Sequence, residues 1–218
     1  MKIDLHVHTS EISLCGHLSA AETVKRYKEA GYDCIVITNH FNSYTAAHYE
    51  NNGVDDFSEL YRKAYLTAKE EGEKAGITVL NGYEIRFDES ESDYLLYGIS
   101  DVTAKRYKEL FRMSPHEFSK VAASEGALFY QAHPFRNNMK ITNPAYLFGI
   151  EIKNGNPRHD SRNDIAAAWA EKFGLHKIAG SDCHQPEDVG VTGVITDRTV
   201  VTEKDLTDML RDDDYTII

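Results

Sequence analysis

Short apolar stretches alternate with amphipathic stretches from one end of the chain to the other. The apolar stretches predict strands over residues 2–5, 33–38, 77–82, 93–99, 127–132, 148–153, 177–180, 194–201 and 215–218. The amphipathic stretches predict helices over residues 19–31, 57–75, 114–126, 162–173 and 203–210, with capping serines at Ser19 and Ser114. Residues 41–56 lack both patterns, and we expect a long loop there. Strands separated by helices are typical of parallel βα units in an α/β fold.

The number of βα units bears on the architecture, because six or seven of them favour a barrel over an open sheet. The 218 residues contain no linker or low-complexity stretch, which predicts one domain over residues 1–218. No apolar run approaches the roughly 20 residues that cross a bilayer. The acidic start Met1–Asp4 does not match a signal peptide, and the three cysteines show no CxxC spacing. We therefore expect a cytoplasmic protein in a reducing compartment, with no membrane association.

The charge balance bears on the partners of the protein. The formal net charge is −11, and no Lys/Arg-rich run is present that could follow a phosphate backbone. These features argue against nucleic acid as a partner. A small phosphorylated substrate stays compatible with an acidic chain if metal ions supply the local positive charge.

Residues that commonly ligate metals follow five of the predicted strands. They are His6 and His8 after the first strand, His40 in "TNH", Glu84 in "GYE", His133 in "AHP", and Asp182 and His184 in "GSDCH". The carboxyl ends of parallel strands meet on one face, so these residues should lie close together. Alternation along a strand turns His6 and His8 to the same side and Val7 away. Imidazole and carboxylate ligands suit zinc, manganese or iron, which predicts a metal centre.

Two residues in the loop after the first strand are further candidates. His17 lies shortly before a helix cap and is a candidate metal ligand. Cys15 could substitute for it as a soft ligand, although an inert loop thiol is the favoured interpretation. Cys183 lies between Asp182 and His184, where alternation turns its side chain away from them, so we expect it to pack.

Four polar residues near the predicted strand ends are candidates for supporting roles. Arg136 in "HPFR" and Arg158 in "NPRHD" could each place a guanidinium on phosphate oxygens, and ordinary exposed arginines are the alternative. His159, beside Arg158, is a candidate substrate contact. Asp4 could orient a ligand imidazole, although packing at the strand start is equally compatible with its position.

The ordered set "DLHVHT", "CGHLS", "ITNH", "GYE", "AHP" and "GSDCH" resembles the PHP (polymerase and histidinol phosphatase) family of metal-dependent phosphoesterases. The match in order and content extends from the first residues to about Gly190. The resemblance implies a distorted (β/α)7 TIM-like barrel with two or three divalent metal ions at the carboxyl ends of its strands. Zinc, manganese and iron suit the ligands, and magnesium stays open.

The resemblance also implies an assignment of ligands to ions. Residues His6, His8, Glu84 and Asp182 would hold one ion, and His17, His40 and His184 a second. Glu84 would also bridge to a third ion held by His133. Family members commonly supply another histidine for that third ion, and the only histidine in the corresponding interval, His116, lies in a predicted helix. Asp93 is a candidate replacement, and a centre with two ions is the alternative.

The activity that this centre would support is hydrolysis of a small phosphomonoester by a metal-activated hydroxide. The residues expected to act in catalysis are His6, His8, Glu84, Asp182 and His184. Two alternatives remain: an amidohydrolase-like enzyme that cleaves C–N bonds, and a non-catalytic metal-binding accessory domain. No evident candidate for a carbamylated lysine ligand is found at a strand end, which argues against the first. Histidinol phosphate, nucleotides and phosphotyrosine all stay open as substrates.

Overall fold

Eleven strands and eight α-helices make up the protein, which a computed structural model describes over residues 1–218. The strands are β1 (Lys2–Val7), β2 (Cys34–Ile37), β3 (His40–Phe41), β4 (Thr78–Asn81), β5 (Tyr83–Arg86), β6 (Asp93–Tyr97), β7 (Leu128–Gln131), β8 (Gly149–Asn154), β9 (His176–Gly180), β10 (Val194–Ile195) and β11 (Thr216–Ile217). The helices are α1 (Ala20–Glu29), α2 (Ser43–Asn51), α3 (Phe57–Ala75), α4 (Asp101–Ala104), α5 (Tyr107–Leu110), α6 (Pro115–Glu125), α7 (Asn163–Phe173) and α8 (Glu203–Arg211). No helix combines the length and apolar composition that a membrane crossing requires.

The five predicted helices are confirmed as α1, α3, α6, α7 and α8, and Ser19 and Ser114 form capping boxes at the starts of α1 and α6. The predicted loop over residues 41–56 is wrong, because Ser43–Asn51 within it form α2. The side chain of Asn42 caps this helix by accepting a hydrogen bond from the backbone of Thr45. Only Thr45 and Ala46 of α2 are buried, so no apolar stripe marks the helix in the sequence.

The strands form a distorted barrel. Its ladder of hydrogen bonds continues across two short interruptions, one between β2 and β3 and one between β4 and β5. Strand β1 pairs with β2 and β2 with β4, and the ladder continues as β3 with β5 before passing through β6, β7, β8 and β9. The ring returns to β1 because the backbone of His8 donates to Cys183 at 3.0 Å and that of Cys183 donates to His6 at 3.2 Å. With β2/β3 and β4/β5 each counted as one bent strand, seven strands make the ring. This confirms the predicted (β/α)7 TIM-like fold.

Strand β6 departs from the parallel arrangement that the sequence predicted, because it runs antiparallel to both β5 and β7. The connection over residues 87–92 is too short for a parallel crossover, which needs a dozen or more residues. The reversal has a consequence for the rim of the barrel. The amino end of β6, which begins at Asp93, lies beside the carboxyl end of β5, where Arg86 pairs with Asp93.

An irregularity in β1 turns its second half relative to its first. Asp4 lies opposite Ile35 and Val7 opposite Ile37, so β1 has one more residue than β2 between these pairs. Leu5 packs in a cluster with strand residues Val36, Leu80, Leu95 and Ile178. Beyond the bulge, Val7 packs in a different cluster, with residues of α1 and α3. The bulge thus lets β1 pack Leu5 against the other strands of the barrel. The two histidines that follow, His6 and His8, then lie on the same face of the strand.

Candidate metal centre

Seven predicted ligand residues meet at the rim of the barrel. Their donor atoms, together with Asp93, form three groups in which every donor lies within 4.8 Å of the others: His8, His40 and His184; His6, His8 and Asp182; and Glu84, Asp93 and His133. The groups combine residues from β1, β3, β5, β6 and the segments that follow β7 and β9. Residues far apart in sequence thus converge in the arrangement that the strand ends predicted.

Glu84 lies at the centre of these groups, with its side chain 2% exposed. Its Oε1 lies 3.3 Å from His6 Nε2 and 3.1 Å from His133 Nε2. Its Oε2 lies 3.5 Å from His8 Nε2 and 3.2 Å from His40 Nε2. Ligands on a tetrahedral zinc ion, at bond lengths near 2.0–2.1 Å, are about 3.3 Å apart. The spacing around Glu84 therefore suits a carboxylate that bridges ions.

Unpartnered nitrogen atoms show that these residues fit divalent metal ions. His6 Nε2, His8 Nε2 and His133 Nδ1 are buried and have no hydrogen-bond partner. A buried polar atom without a partner costs free energy, so such atoms are rare in stable folds. His6 Nε2 and His8 Nε2 each lie 3.5 Å from Asp182 Oδ1, a separation typical of two ligands on one ion. An ion between them would accept the lone pairs that the protein leaves unused.

The charges within the centre favour the ligating forms of its two carboxylates and of His8. Burial raises the pKa of Glu84, but the neighbouring His6, together with hydrogen bonds from His133 and His40, outweighs burial and holds this pKa well below its ordinary value. The pKa of Asp182 is likewise well below its usual range, since His6 and His8 outweigh burial. Burial lowers the pKa of His8 and keeps this imidazole neutral. Ionised carboxylates and neutral imidazoles are the forms that bind metals.

His6 differs from His8 because a third carboxylate lies against it. Burial lowers the pKa of His6, but the carboxylates of Glu151, Asp182 and Glu84 outweigh burial and raise it well above the ordinary value. Glu151 Oε1 lies 3.0 Å from His6 Nδ1, on the ring nitrogen that does not face Glu84. Glu151 was not among the residues predicted from the sequence. Its signal was an acidic residue within the otherwise apolar stretch "FGIEI" of β8.

Ser13 and Asn39 orient His8 in a similar way. Ser13 Oγ lies 2.9 Å from His8 Nδ1, donates to Asn39 Oδ1 at 2.9 Å and accepts from the backbone of His40 at 3.1 Å. The backbone of Thr9 also donates to Asn39 Oδ1, at 2.7 Å. These contacts tie the loop after β1 to the segment before β3, and they leave Nε2 of His8 facing the centre.

Two of the candidate ligand residues adopt backbone conformations that are uncommon outside glycine. The φ angle is +27° at His133 and +53° at Asp182. Such conformations cost about 1–3 kcal/mol and persist where surrounding contacts hold them. The backbone of His133 donates to Glu151 Oε2 at 2.9 Å, and the backbone carbonyl of Asp182 accepts from Asn156 at 3.1 Å. Both ligands therefore lie in turns that the surrounding polar groups stabilise.

Asp4 does not orient a ligand imidazole, so that prediction is wrong. Its Oδ1 accepts from the backbone of His6 at 3.1 Å and of Ser181 at 3.0 Å, and its Oδ2 accepts from the Tyr27 hydroxyl at 2.8 Å. Burial outweighs these hydrogen bonds and raises the pKa of Asp4 to about 6. Asp4 thus joins β1 to the segment after β9, at the seam of the barrel.

The loop after β1 places its two candidates differently. The side chain of His17 is exposed, and the structure does not bring it into any of the three ligand groups. The backbone of His17 donates to the carbonyl of His184 at 2.8 Å, and this contact fixes the loop with the imidazole outside. Cys15 is likewise outside the three ligand groups, but its Sγ lies 3.9 Å from His40 Nδ1. Burial raises the pKa of the Cys15 thiol, but hydrogen bonds with His184 and His40 outweigh it and lower the pKa to about 6.

The two candidate arginines make different contacts. Arg136 Nη2 donates to Asp182 Oδ2 at 2.7 Å and to Asn154 at 3.0 Å, so this arginine orients a ligand carboxylate. Arg158 donates from both terminal nitrogens to the buried Asp188, at 2.6 and 2.7 Å. This pair occupies the guanidinium face that would fork onto phosphate, but Arg158 also lines the cavity above the centre, so its substrate contact stays a prediction.

An open cavity of about 540 Å³ lies above the centre, and both His159 and Arg136 line it together with Glu84, His133 and Asp182. A second cavity of about 570 Å³ adjoins it, and Cys15, His40 and Arg86 line both. The ligand groups therefore face space that a small molecule can enter.

A barrel with imidazoles and carboxylates clustered at its rim is typical of metal-dependent barrel proteins. The sequence profile of the PHP domain matches residues 4–184, and a PHP-associated profile matches residues 160–215. The chain belongs to the PHP domain family, which confirms the predicted resemblance. No curated protein matches the chain.

Solved structures share the fold at low sequence identity. A two-domain protein from Bacteroides vulgatus, containing a predicted PHP-like metal-dependent phosphoesterase, aligns with a TM-score of 0.71 and 21% identity. The alignment covers 100% of this chain and 64% of that protein, so the chain spans less than two thirds of its length. An amidohydrolase from Chromobacterium violaceum, with bound sulfate and no metal, aligns with a TM-score of 0.59 and 18% identity over 87% of this chain and 90% of that one.

One structural neighbour corrects an expectation drawn from charge. Endonuclease Q, in complex with a 27-mer duplex that carries an abasic lesion at the active site, aligns with a TM-score of 0.61 and 14% identity. The alignment covers 97% of this chain and 56% of that protein. The prediction against nucleic acid is therefore wrong, because a protein with this fold acts on duplex DNA. Net charge averages over the whole surface and does not describe the field near a metal centre.

Proposed function

We propose that this protein is a metal-dependent hydrolase of phosphoric esters, and that its substrate is a small phosphomonoester. The observation that carries the proposal is the sharing of Glu84 among four histidines from three parts of the chain, beneath an open cavity. We further propose two or three divalent ions, with zinc, manganese or iron favoured by the mixed nitrogen and oxygen ligands and magnesium still open. Residues 1–218 would act as one catalytic domain in the cytoplasm.

In this proposal, His6, His8 and Asp182 lie around one ion, His8, His40 and His184 lie around a second, and Glu84, Asp93 and His133 lie around a third, and the one free lone pair of His8 Nε2 serves only one of the first two ions. The bound ions would lower the pKa of water and neutralise charge on the phosphoryl oxygens. The protein supplies the geometry. Glu151 orients His6, Ser13 orients His8 and Arg136 orients Asp182, so the ligands are held in place before substrate enters.

The substrate would enter through the open cavity and place its phosphoryl group over Glu84. Arg136 and His159 lie along this path, and the adjoining cavity near Tyr44 could receive the leaving group. The three substrates left open by the sequence, histidinol phosphate, a nucleotide and phosphotyrosine, remain the ones to test.

The proposal is tested on metal-free protein reloaded separately with zinc, manganese, iron or magnesium. The assay measures phosphate release from an aryl phosphate and from the three candidate substrates, and parallel arms contain an amide panel and a duplex with an abasic site. We expect phosphate release that a chelator abolishes and that His6→Ala/His8→Ala lowers to background. His48→Ala is the matched control, because His48 is exposed and lies outside the three ligand groups.

Four outcomes would overturn the proposal. Cleavage of amides alone would support the amidohydrolase alternative, and cleavage of the duplex alone would support a nuclease. Metal binding without turnover of any substrate would support a non-catalytic accessory domain. Full phosphatase activity in the double variant would show that another site carries the reaction.

A further inference from the structure

Cys15 lies in the loop between β1 and α1, where its side chain reaches the rim of the barrel. Its Sγ lies 3.9 Å from His40 Nδ1, and the thiol lines both cavities. The other two cysteines, Cys34 and Cys183, are fully buried. Cys15 is therefore the one thiol of this chain that combines exposure with contact to a candidate ligand.

The histidines beside Cys15 form a ligand group that is short of donors for a closed tetrahedral site. Donor atoms of His8, His40 and His184 lie within 4.8 Å of one another, and the rings of His8 and His184 stack at 4.1 Å between centroids. His8 Nε2 is buried and has no hydrogen-bond partner. Zinc sites with three histidines commonly take a fourth ligand, and a thiolate bonds zinc at about 2.3 Å.

The contact between Cys15 and His40 has the geometry expected of two ligands on one ion. A thiolate sulfur and an imidazole nitrogen on a tetrahedral zinc ion are roughly 3.5 Å apart, close to the 3.9 Å between Sγ and Nδ1. The other ring nitrogen of His40, Nε2, lies 3.2 Å from Glu84 Oε2. An imidazole that ligates through one nitrogen commonly donates to a carboxylate through the other, so His40, unlike His6 and His8, would ligate through Nδ1 and donate through Nε2 to Glu84.

The loop that carries Cys15 is fixed on both sides. Before it, the backbone of Ser13 donates to Thr9 at 3.0 Å, and Gly16 donates to Ser13 at 2.8 Å. After it, the backbone of His17 donates to His184 at 2.8 Å. A Cβ at Gly16 would lie 3.1 Å from both Ser13 O and Thr9 C, so the turn has no room for a larger residue. These contacts hold the thiol toward the histidines and the His17 side chain toward solvent.

We propose that Cys15, as a thiolate, is a protein ligand of the ion beside His40 and His184, in the role that the family resemblance assigned to His17. Metal coordination deprotonates a thiol, so the thiolate forms on binding. A soft sulfur ligand favours zinc, iron or cobalt at this position over magnesium or manganese. The inference depends on metal binding alone and holds for whichever ester the centre cleaves.

Cobalt supplies the first test, because thiolate ligation to cobalt(II) produces a charge-transfer band in the near ultraviolet. Cobalt is titrated into the metal-free full-length protein and into Cys15→Ser and His17→Ala. We expect the band in the wild type and in His17→Ala, and its loss in Cys15→Ser. A band that persists in Cys15→Ser, or that is absent from the wild type, would overturn the proposal.

Thiol reactivity supplies a second test that needs no coloured metal. In the folded metal-free protein a disulfide reagent such as DTNB should modify one thiol, Cys15, because Cys34 and Cys183 are buried. One equivalent of zinc per site should protect this thiol, and a chelator should restore its reactivity. Equal reaction rates with and without zinc would contradict ligation by Cys15.

Affinity separates this inference from the proposed function. Loss of a residue that only supports a ligand lowers metal affinity about 10–100-fold, so loss of the ligand itself should weaken one zinc site by roughly 100-fold or more. We expect this loss in Cys15→Ser and an unchanged affinity in His17→Ala. Phosphatase activity without a cobalt–thiolate band would refute the ligand alone, and the band without any turnover would refute the function alone. An affinity loss in His17→Ala in place of Cys15→Ser would return the role to His17.

Discussion

Glu151 Oε1 lies 3.0 Å from Nδ1 of His6, on the ring nitrogen that faces away from Glu84. The other carboxylate oxygen of Glu151 accepts hydrogen bonds from the backbone of His133 and from Asn154, at 2.9 and 3.0 Å. One buried carboxylate thus fixes the ring of one ligand and the backbone of another. Glu151 is a positioning residue for the centre, although it does not belong to any of the three ligand groups.

Glu151→Gln should weaken zinc binding about 10–100-fold, because the neutral side chain no longer fixes the His6 ring or raises its basicity. The measurement is competition for zinc with a chromophoric chelator, in the absence of substrate. Glu73→Gln, at an exposed position on α3, is the control and should match the wild type. Wild-type zinc affinity in Glu151→Gln would show that His6 needs no support from β8.

Arg136→Gln should lower both zinc affinity and kcat, because Arg136 holds Asp182 Oδ2 at 2.7 Å and so fixes the orientation of Oδ1. We expect a loss of roughly 10-fold or more in zinc affinity. Arg26→Gln, at an exposed position on α1, is the control. A rise in KM with unchanged zinc affinity and kcat would show instead that Arg136 acts only by binding substrate.

Arg158→Gln should reduce stability more than it alters substrate binding. The carboxylate of Asp188 is fully buried and also accepts from the backbones of His184 and Gln185, each at 2.8 Å. Because Arg158 is about one third exposed, the expected loss is about 1–2 kcal/mol, measured by urea unfolding. Unchanged stability together with a raised KM would instead support the substrate contact.

Asp93→Asn should lower the number of bound ions by one if Asp93 completes the third ligand group. Asp93 Oδ2 lies 4.0 Å from His133 Nε2, but both of its carboxylate oxygens also accept from Arg86, at 2.6 and 2.7 Å. An ion would therefore have to compete with this arginine. Elemental analysis of the wild type and Asp93→Asn after equilibration with zinc measures the stoichiometry. The same metal count in both would leave Asp93 as the partner of Arg86 alone.

Removal of metal should lower thermal stability. A ligand present at 100 times its Kd adds about 2.7 kcal/mol to the free energy of unfolding, if it binds only the folded state. In a protein of this size that corresponds to a Tm difference of about 5–10 °C for each ion. Thermal unfolding with and without a chelator measures this difference. His6→Ala/His8→Ala should show a much smaller response, and an equal response in both proteins would place the stabilising ions elsewhere.

The sequence predicted much of this arrangement because the hydrophobic periodicities of strands and of helices are local properties of the chain. Buried strands and capped helices such as α1 and α3 can be recognised from a few consecutive residues. The carboxyl ends of parallel strands bring the residues that follow them together, whatever the side-chain packing. The role of Asp93 could not be predicted in this way. It lies at the start of a strand, and only the reversed direction of β6, set by pairing with β5 and β7, places that start at the rim.

Residues that support ligands were harder to predict for a related reason. Glu151 occupies a strand position that an apolar residue would normally fill, and its purpose appears only when His6 lies opposite it. The choice between Cys15 and His17 likewise depends on the loop conformation. A backbone hydrogen bond between His17 and His184 helps to determine which side chain faces the histidines. The two-residue separation of Cys15 and His17 in the sequence does not predict that bond.

The most direct measurement of the central claim is a crystal structure of the zinc-loaded protein with anomalous diffraction data on both sides of the zinc edge. The account predicts anomalous peaks between His6, His8 and Asp182 and between Cys15, His40 and His184, with Glu84 in contact with more than one ion. A map without peaks among these residues, from crystals shown by elemental analysis to contain zinc, would contradict it.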